Sequence, residues 1–214
     1  PVVDAAGEYA WRRTEHDLDG QTFRLEGAGS VLELRLPLLG AHQLENAATA
    51  VACVRALDAS ISADAVARGL ASVSWPGRLE VLRRRPLVVA DGAHSADSAR
   101  RLRRGLTDYF SGQRAFLIVG MSAGKDVGAL ARELAPIAKR VFAVQSEHPR
   151  AMPAGQIADA FLRAGVEAVP AAGVAEALDR ALAEAQNEEV ICLAGSLFAV
   201  AEGRAHLQGT KATA

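Results

Sequence analysis

Ala-Asp-Gly-Ala-His-Ser, residues 90–95, puts an acid, a glycine, an imidazole and a hydroxyl in immediate succession after the apolar run Leu87-Val88-Val89. If that run is a buried strand, Asp91 stands at its carboxyl end, where a carboxylate can accept both hydroxyls of a ribose. Gly92 lets the backbone turn tightly and belongs with Asp91 as a nucleotide-side residue. His94 precedes a helical pattern opening near Ser95; its imidazole can donate to a phosphate or carry a proton near neutral pH, making it the candidate catalytic group. A helix cap with an incidental histidine fits the same spacing, which leaves both readings open.

Three further stretches could act on the same ligand. In Leu-Pro-Leu-Leu-Gly-Ala-His-Gln-Leu-Glu-Asn (36–46), His42 and Asn46 are four apart and share a helical face. Asn46 offers a donor and an acceptor, which suits a purine edge, although such residues also cap helices or join domains. Arg78 follows the Pro76-Gly77 break, where its guanidinium is either a hinge cation for a phosphate or a surface residue. Leu-Ile-Val-Gly-Met-Ser-Ala-Gly-Lys-Asp (117–126) imitates a phosphate loop. A Walker loop needs four residues before its Gly-Lys pair and a hydroxyl after it. Here only Met121, Ser122 and Ala123 intervene, and Asp126 takes the hydroxyl's place. A strand-to-helix turn with Ser122 or Asp126 as cap is the plainer reading.

The elements that must carry these residues follow from periodicity. Residues 21–37 alternate around Gly27-Ala28-Gly29 as a half-exposed hairpin, followed by helices over 44–57 and from 62 or 63 to 73. Pro76-Gly77 marks a boundary between segments 1–75 and 76–214. Beyond it, apolar runs at 87–91, 115–120, 140–145, 166–170 and 190–195 alternate with helical patterns near 96–110, 126–138, 153–164, 173–186 and 196–206. Alternation of this kind predicts an α/β fold: a Rossmann-like, mostly parallel sheet with helices on both faces. Four polar stretches then fall at strand ends: 91–94, 120–126, 146–150 and 195–196.

Composition limits the partners. In 214 residues, 24 Lys and Arg balance 25 Asp and Glu, so no global field draws in nucleic acid or an anionic membrane. The arginine runs at 83–85 and 100–104 read as solvated faces. Only 5% of residues are aromatic, so Ala, Val and Leu must build the core. Cys53 and Cys192 sit in apolar runs without CxxC spacing and read as buried small hydrophobes of a reducing, cytoplasmic compartment. No apolar stretch approaches the ~20 residues of a membrane span. The opening Pro-Val-Val-Asp-Ala-Ala has no initiator Met and is expected to be a cut inside a longer protein.

In order, Leu-Pro-Leu-Leu-Gly-Ala-His-Gln-Leu-Glu-Asn-Ala, Trp-Pro-Gly-Arg-Leu-Glu, Val-Val-Ala-Asp-Gly-Ala-His-Ser and Leu-Ala-Gly-Ser-Leu-Phe resemble the folylpolyglutamate synthase/dihydrofolate synthase branch of the Mur ligase superfamily. The resemblance runs from the tail of the family's central ATPase domain (1–75) through its C-terminal domain (76–214). It implies an ATP- and Mg²⁺-dependent amide ligase whose small-molecule substrates are a folate or dihydropteroate and glutamate. In that chemistry ATP phosphorylates a carboxylate and the glutamate amine attacks the acyl phosphate. Carried over by position, Asn46 matches the adenine contact, Arg78 the linker arginine that reaches the phosphates, Asp91 the ribose-side acid and His94 the histidine of the D-[GP]-A-H-N motif. Ser196 matches a serine near the incoming amino acid, and Lys125 with Asp126 matches a cleft-lining loop. Ser95 departs from the family's usual Asn. The family's G-x-x-G-K-G-[ST] loop and its metal-holding Glu, His and modified Lys are absent from the sequence, so no metal ligand is assigned and the isolated chain is expected to be inactive. A Mur-type ligase for a non-folate acid, or a non-catalytic α/β ligand-binding module, fits the same fold.

Overall fold

A computed structural model describes residues 2–110 and 113–212. The chain forms two compact units, Pro1–Pro76 and Gly77–Ala214.

In the first unit a short helix α1 (Ala5–Glu8) leads into an antiparallel meander of β1 (Tyr9–Asp17), β2 (Gly20–Gly27) and β3 (Ser30–Leu36), followed by α2 (Ala41–Leu57) and α3 (Ala63–Ala71). The hairpin expected over 21–37 corresponds to β2 and β3, paired in unbroken register from Gln21↔Leu36 to Gly27↔Ser30. β1 has no counterpart in the sequence reading, because its residues from Glu15 to Asp17 are exposed and carry no alternation. Phe23 and Leu25 on β2 and Leu34 and Leu36 on β3 face inward and pack with Leu44, Ala48 and Val51 of α2. Cys53 corrects one expectation. It is exposed, because its position in α2 lies outside the inward stripe of Leu44, Ala47, Ala48, Val51 and Ala52.

The second unit holds a six-stranded sheet in the order β4-β5-β9-β6-β7-β8. Its strands are β4 (Glu80–Arg84), β5 (Leu87–Ala90), β6 (Ala115–Val119), β7 (Ala138–Ala143), β8 (Ala168–Pro170) and β9 (Val190–Ala194). All neighbours pair in parallel except β4, which runs antiparallel to β5 at one edge. Every residue of β5, β6 and β9 is buried, which is why these strands read as unbroken apolar runs. The helices are α4 (Ala96–Tyr109), α5 (Val127–Leu134), α6 (Ala154–Arg163), α7 (Val174–Glu184) and α8 (Leu197–Ala212). α4 buries Ala99, Leu102, Gly105 and Leu106, one helical stripe. The arginines opposite are not merely solvated: Arg100 and Arg103 both pair with Glu133, at 3.1 and 3.0 Å. Cys192 is buried in β9, where desolvation, reinforced by the nearby Asp91, pushes its thiol far up. No helix among the described residues is long and apolar enough to cross a membrane.

Candidate functional site

In this strand order the loops after β5, β9, β6 and β7 follow one another along a single edge of the sheet. Backbone hydrogen bonds join them. Asp91 N–H donates to Leu193 O (2.9 Å), Gly195 N–H to Ala93 O (2.8 Å), and Gly120 N–H to Ala194 O (3.1 Å). Gly195 adopts φ +100° and lies so near the next loop that a Cβ there would sit 2.5 Å from Gly120 O. Only glycine fits both the angle and the space. One loop further along, Ala123 N–H donates to Arg150 O and Met152 N–H to Met121 O, each at 2.7 Å.

Asp91 is buried on this edge, at 8% exposure. Its Oδ1 accepts from Ala93 N–H (2.8 Å) and its Oδ2 from Leu79 N–H (2.9 Å). Leu79 is a non-glycine residue at φ +43°, a left-handed conformation that carries strain, and the Asp91 bond holds it there. Burial raises the Asp91 carboxyl to about 6; the two backbone donors, Arg78 and His94 act in the opposite direction. Each oxygen keeps a second lone pair beside its backbone bond.

Arg78 and Gly92 come close together. Arg78 Nη1 donates to Gly77 O at 3.2 Å, and a Cβ on Gly92 would lie 3.0 Å from that nitrogen and 2.6 Å from Leu197 Cδ2. Gly92 is therefore required for approach as well as for turning: its bare backbone lets Arg78 and Leu197 close on the strand end. His94 is exposed, with Nδ1 2.9 Å from Gly92 O. A carbonyl only accepts, so Nδ1 carries the proton and Nε2 is the acceptor of the neutral ring. Ser95 takes the helix-capping role. It caps α4 in a reciprocal pair with Ser98.

The remaining candidates are placed as follows. Ser196 is buried, and its Oγ accepts from Ala199 N–H at 3.1 Å, leaving the hydroxyl proton to donate. Lys125 is exposed in the turn after β6. Asp126 caps α5, its Oδ1 accepting from Ala129 N–H at 2.8 Å, so the phosphate-loop look-alike is a capped strand-to-helix turn. Asn46 lies on α2 in the other unit, exposed, its Nδ2 donating to Gln43 Oε1 at 2.9 Å. Gln43 Nε2 in turn donates to His42 Nε2 at 3.2 Å. Sequence reasoning singled out neither Leu79 nor the stack of His148 on Phe198, whose ring centroids are 3.8 Å apart. Both depend on contacts between distant segments, and only the position of His148 in a strand-end stretch hinted at its place. Among the described residues no group of three or more His, Cys, Asp or Glu side chains could hold a metal ion.

Residues 77–197 match the family described as Mur ligase, glutamate ligase domain. Over 210 residues the chain is 37% identical to a probable bifunctional folylpolyglutamate synthase/dihydropteroate synthase of Halobacterium salinarum, covering 95% of this chain and 25% of that protein. The structure is similar to that of Mycobacterium tuberculosis folylpolyglutamate synthase complexed with ADP, with a TM-score of 0.87 and 30% identity over 94% of this chain and 48% of the other. It is also similar to a bifunctional folylpolyglutamate synthase/dihydrofolate synthase from Yersinia pestis complexed with AMPPNP and a Mn ion, with a TM-score of 0.79 and 28% identity over 93% and 46%. The chain thus spans between a quarter and a half of the length of these relatives.

Proposed function

Because the chain belongs to the Mur ligase family, through its glutamate ligase domain, we propose that it serves as the C-terminal portion of an ATP-dependent amide ligase that joins glutamate to a folate or dihydropteroate. The observation that carries this reading is the cluster of Asp91, Arg78 and His94 around Gly92, inside the matched domain. Residues 1–75 take the part of the central domain's tail.

Taken unit by unit, the donors and acceptors present fit the separate parts of a nucleoside phosphate. Asp91 offers free lone pairs beside its two backbone bonds, enough to accept ribose hydroxyls. Arg78 supplies a forked cation for phosphate oxygens. Asn46 keeps its Oδ1 and one Nδ2 hydrogen for a purine edge, its other hydrogen being held by Gln43. His94 contributes Nε2, an acceptor when neutral and a donor to phosphate oxygen when protonated. Bound ATP supplies the phosphoryl group that turns an unreactive carboxylate into an electrophile. Ser196 donates its hydroxyl proton toward the incoming amino acid, and Lys125 adds a cation on the same sheet edge. The Mn ion of the Yersinia relative supports a divalent ion, Mg²⁺ in the cell, and no described residue of this chain is assigned to it.

The test is ADP release by the full gene product with ATP, glutamate and either dihydropteroate or tetrahydrofolate. Turnover that depends on one or both acceptors is expected. Absence of turnover with both removes the folate reading.

A further inference from the structure

Gln21 is 1% exposed and is one of few buried polar side chains in the described chain. It occupies an inward position of β2, in phase with Phe23 and Leu25, where the alternation calls for an apolar residue. Its amide is not idle. Nε2 donates to Leu38 O at 2.7 Å and to Gly40 O at 2.9 Å, spending both hydrogens on one short loop. Gly20 brings β2 close enough for this: at φ +139°, a Cβ there would sit 2.6 Å from Leu36 O and 2.9 Å from Pro37 Cα.

That loop delivers α2. The helix begins at Gly40 without a side-chain cap, and Gly40 sits at φ +97°. Gly40 O accepts twice, from Gln21 Nε2 and from Gln43 N–H, each at 2.9 Å. Two donors converging on one carbonyl fix its direction, and with it the first turn of the helix. The same Gln43 holds Asn46 Nδ2 at 2.9 Å through its side chain. A relay therefore runs from Gln21 through the Gly40 carbonyl and Gln43 to Asn46, all within the first unit. Gln21 Oε1 is buried without a partner among the described residues. An orphaned buried acceptor costs about 1–3 kcal/mol, which is set against the two bonds that Nε2 makes to the Leu38 and Gly40 carbonyls.

We propose that Gln21 is a positioning residue for the purine site: by clamping the Leu38 and Gly40 carbonyls it sets the start of α2 and so the direction of the Asn46 amide. This rests on the reading of Asn46 as the purine contact. The test is steady-state kinetics of the full gene product carrying Gln21→Met, Gln21→Asn, Asn46→Ala, or Gln21→Met with Asn46→Ala. Gln21→Met keeps the volume and removes both donors; Gln21→Asn keeps the donors on a stem too short to reach and is the fallback should the first variant not fold. Either is expected to raise KM for ATP about three- to tenfold, the range of one or two lost hydrogen bonds, with KM for glutamate and kcat unchanged. On the Asn46→Ala background the increase should vanish, because the group being aimed is gone. If Asn46→Ala leaves KM for ATP unchanged, the purine assignment of Asn46 falls, and the proposal with it. If Asn46→Ala raises KM while the Gln21 variants do not, or their effects multiply fully with it, Gln21 alone is overturned and is structural.

Discussion

The end of β5 and the start of α2 present their candidate ligand groups by opposite arrangements. Asp91 is both the candidate ligand group and the structural pin: one buried carboxylate holds Leu79 in a left-handed conformation and closes the turn through Ala93. At α2 the proposed tasks are divided, with Gln21 buried as the pin and Asn46 exposed as the candidate contact. A fused arrangement ties binding to folding, so no substitution at Asp91 reports on one alone. A divided arrangement lets the two be altered separately.

The largest effect expected from this contrast is at Asp91. Asp91→Ala leaves two buried N–H groups unpaired and should lower unfolding free energy by about 4 kcal/mol, together with a loss of nucleotide affinity of roughly 1.5–3 kcal/mol. Chemical denaturation and calorimetry measure the two; a variant of unchanged stability would break the fused description. Next, Gly195→Ala places a methyl against Gly120 O at a positive φ and should cost about 3 kcal/mol, read as a lower denaturation midpoint. Third comes pH. Because the Asp91 carboxyl is raised to about 6 from an ordinary 3.8, the folded state binds more protons than the unfolded state between those values. Its contribution is full below pH ~4 and is lost as pH rises through about 6, a span of about 2–3 kcal/mol. Asp91→Asn should flatten that part of the pH–stability profile; an identical profile in wild type and variant would show the carboxyl is not shifted. Smallest is Asn46→Ala, expected to change stability by less than about 0.5 kcal/mol while raising KM for ATP. A large stability loss there would erase the distinction between the two regions.

The same contrast explains what could be read in the sequence. β5, β6 and β9 were legible because strands buried on both faces are continuous apolar runs. β4 was not: Glu80–Arg84 is half polar, lies at the sheet edge and is defined by its antiparallel partner rather than by its own pattern. β1 was hidden for a similar reason, with an outer half of exposed charge. Cys53 misled because apolar neighbours say nothing of helical phase until the inward stripe is known. At the site, strand-end position pointed to Asp91, Gly92 and His94, and the Pro-Gly break pointed to Arg78. The closeness of Arg78 to Gly92 and the strained Leu79 required contacts across twelve or more residues, which no local spacing encodes. The Gln21 clamp spans nineteen residues and left a single trace, a polar residue at an inward position of its strand.

The near-contact of Gly195 with the Gly120 carbonyl constrains how this protein can diversify. With no room for a methyl group between the ends of β9 and β6, that crest cannot accept new side chains one substitution at a time. New side chains along this strand-end edge have to enter from its flanks, through 146–150 on one side and 196–198 on the other, while the glycine seam passes down unaltered.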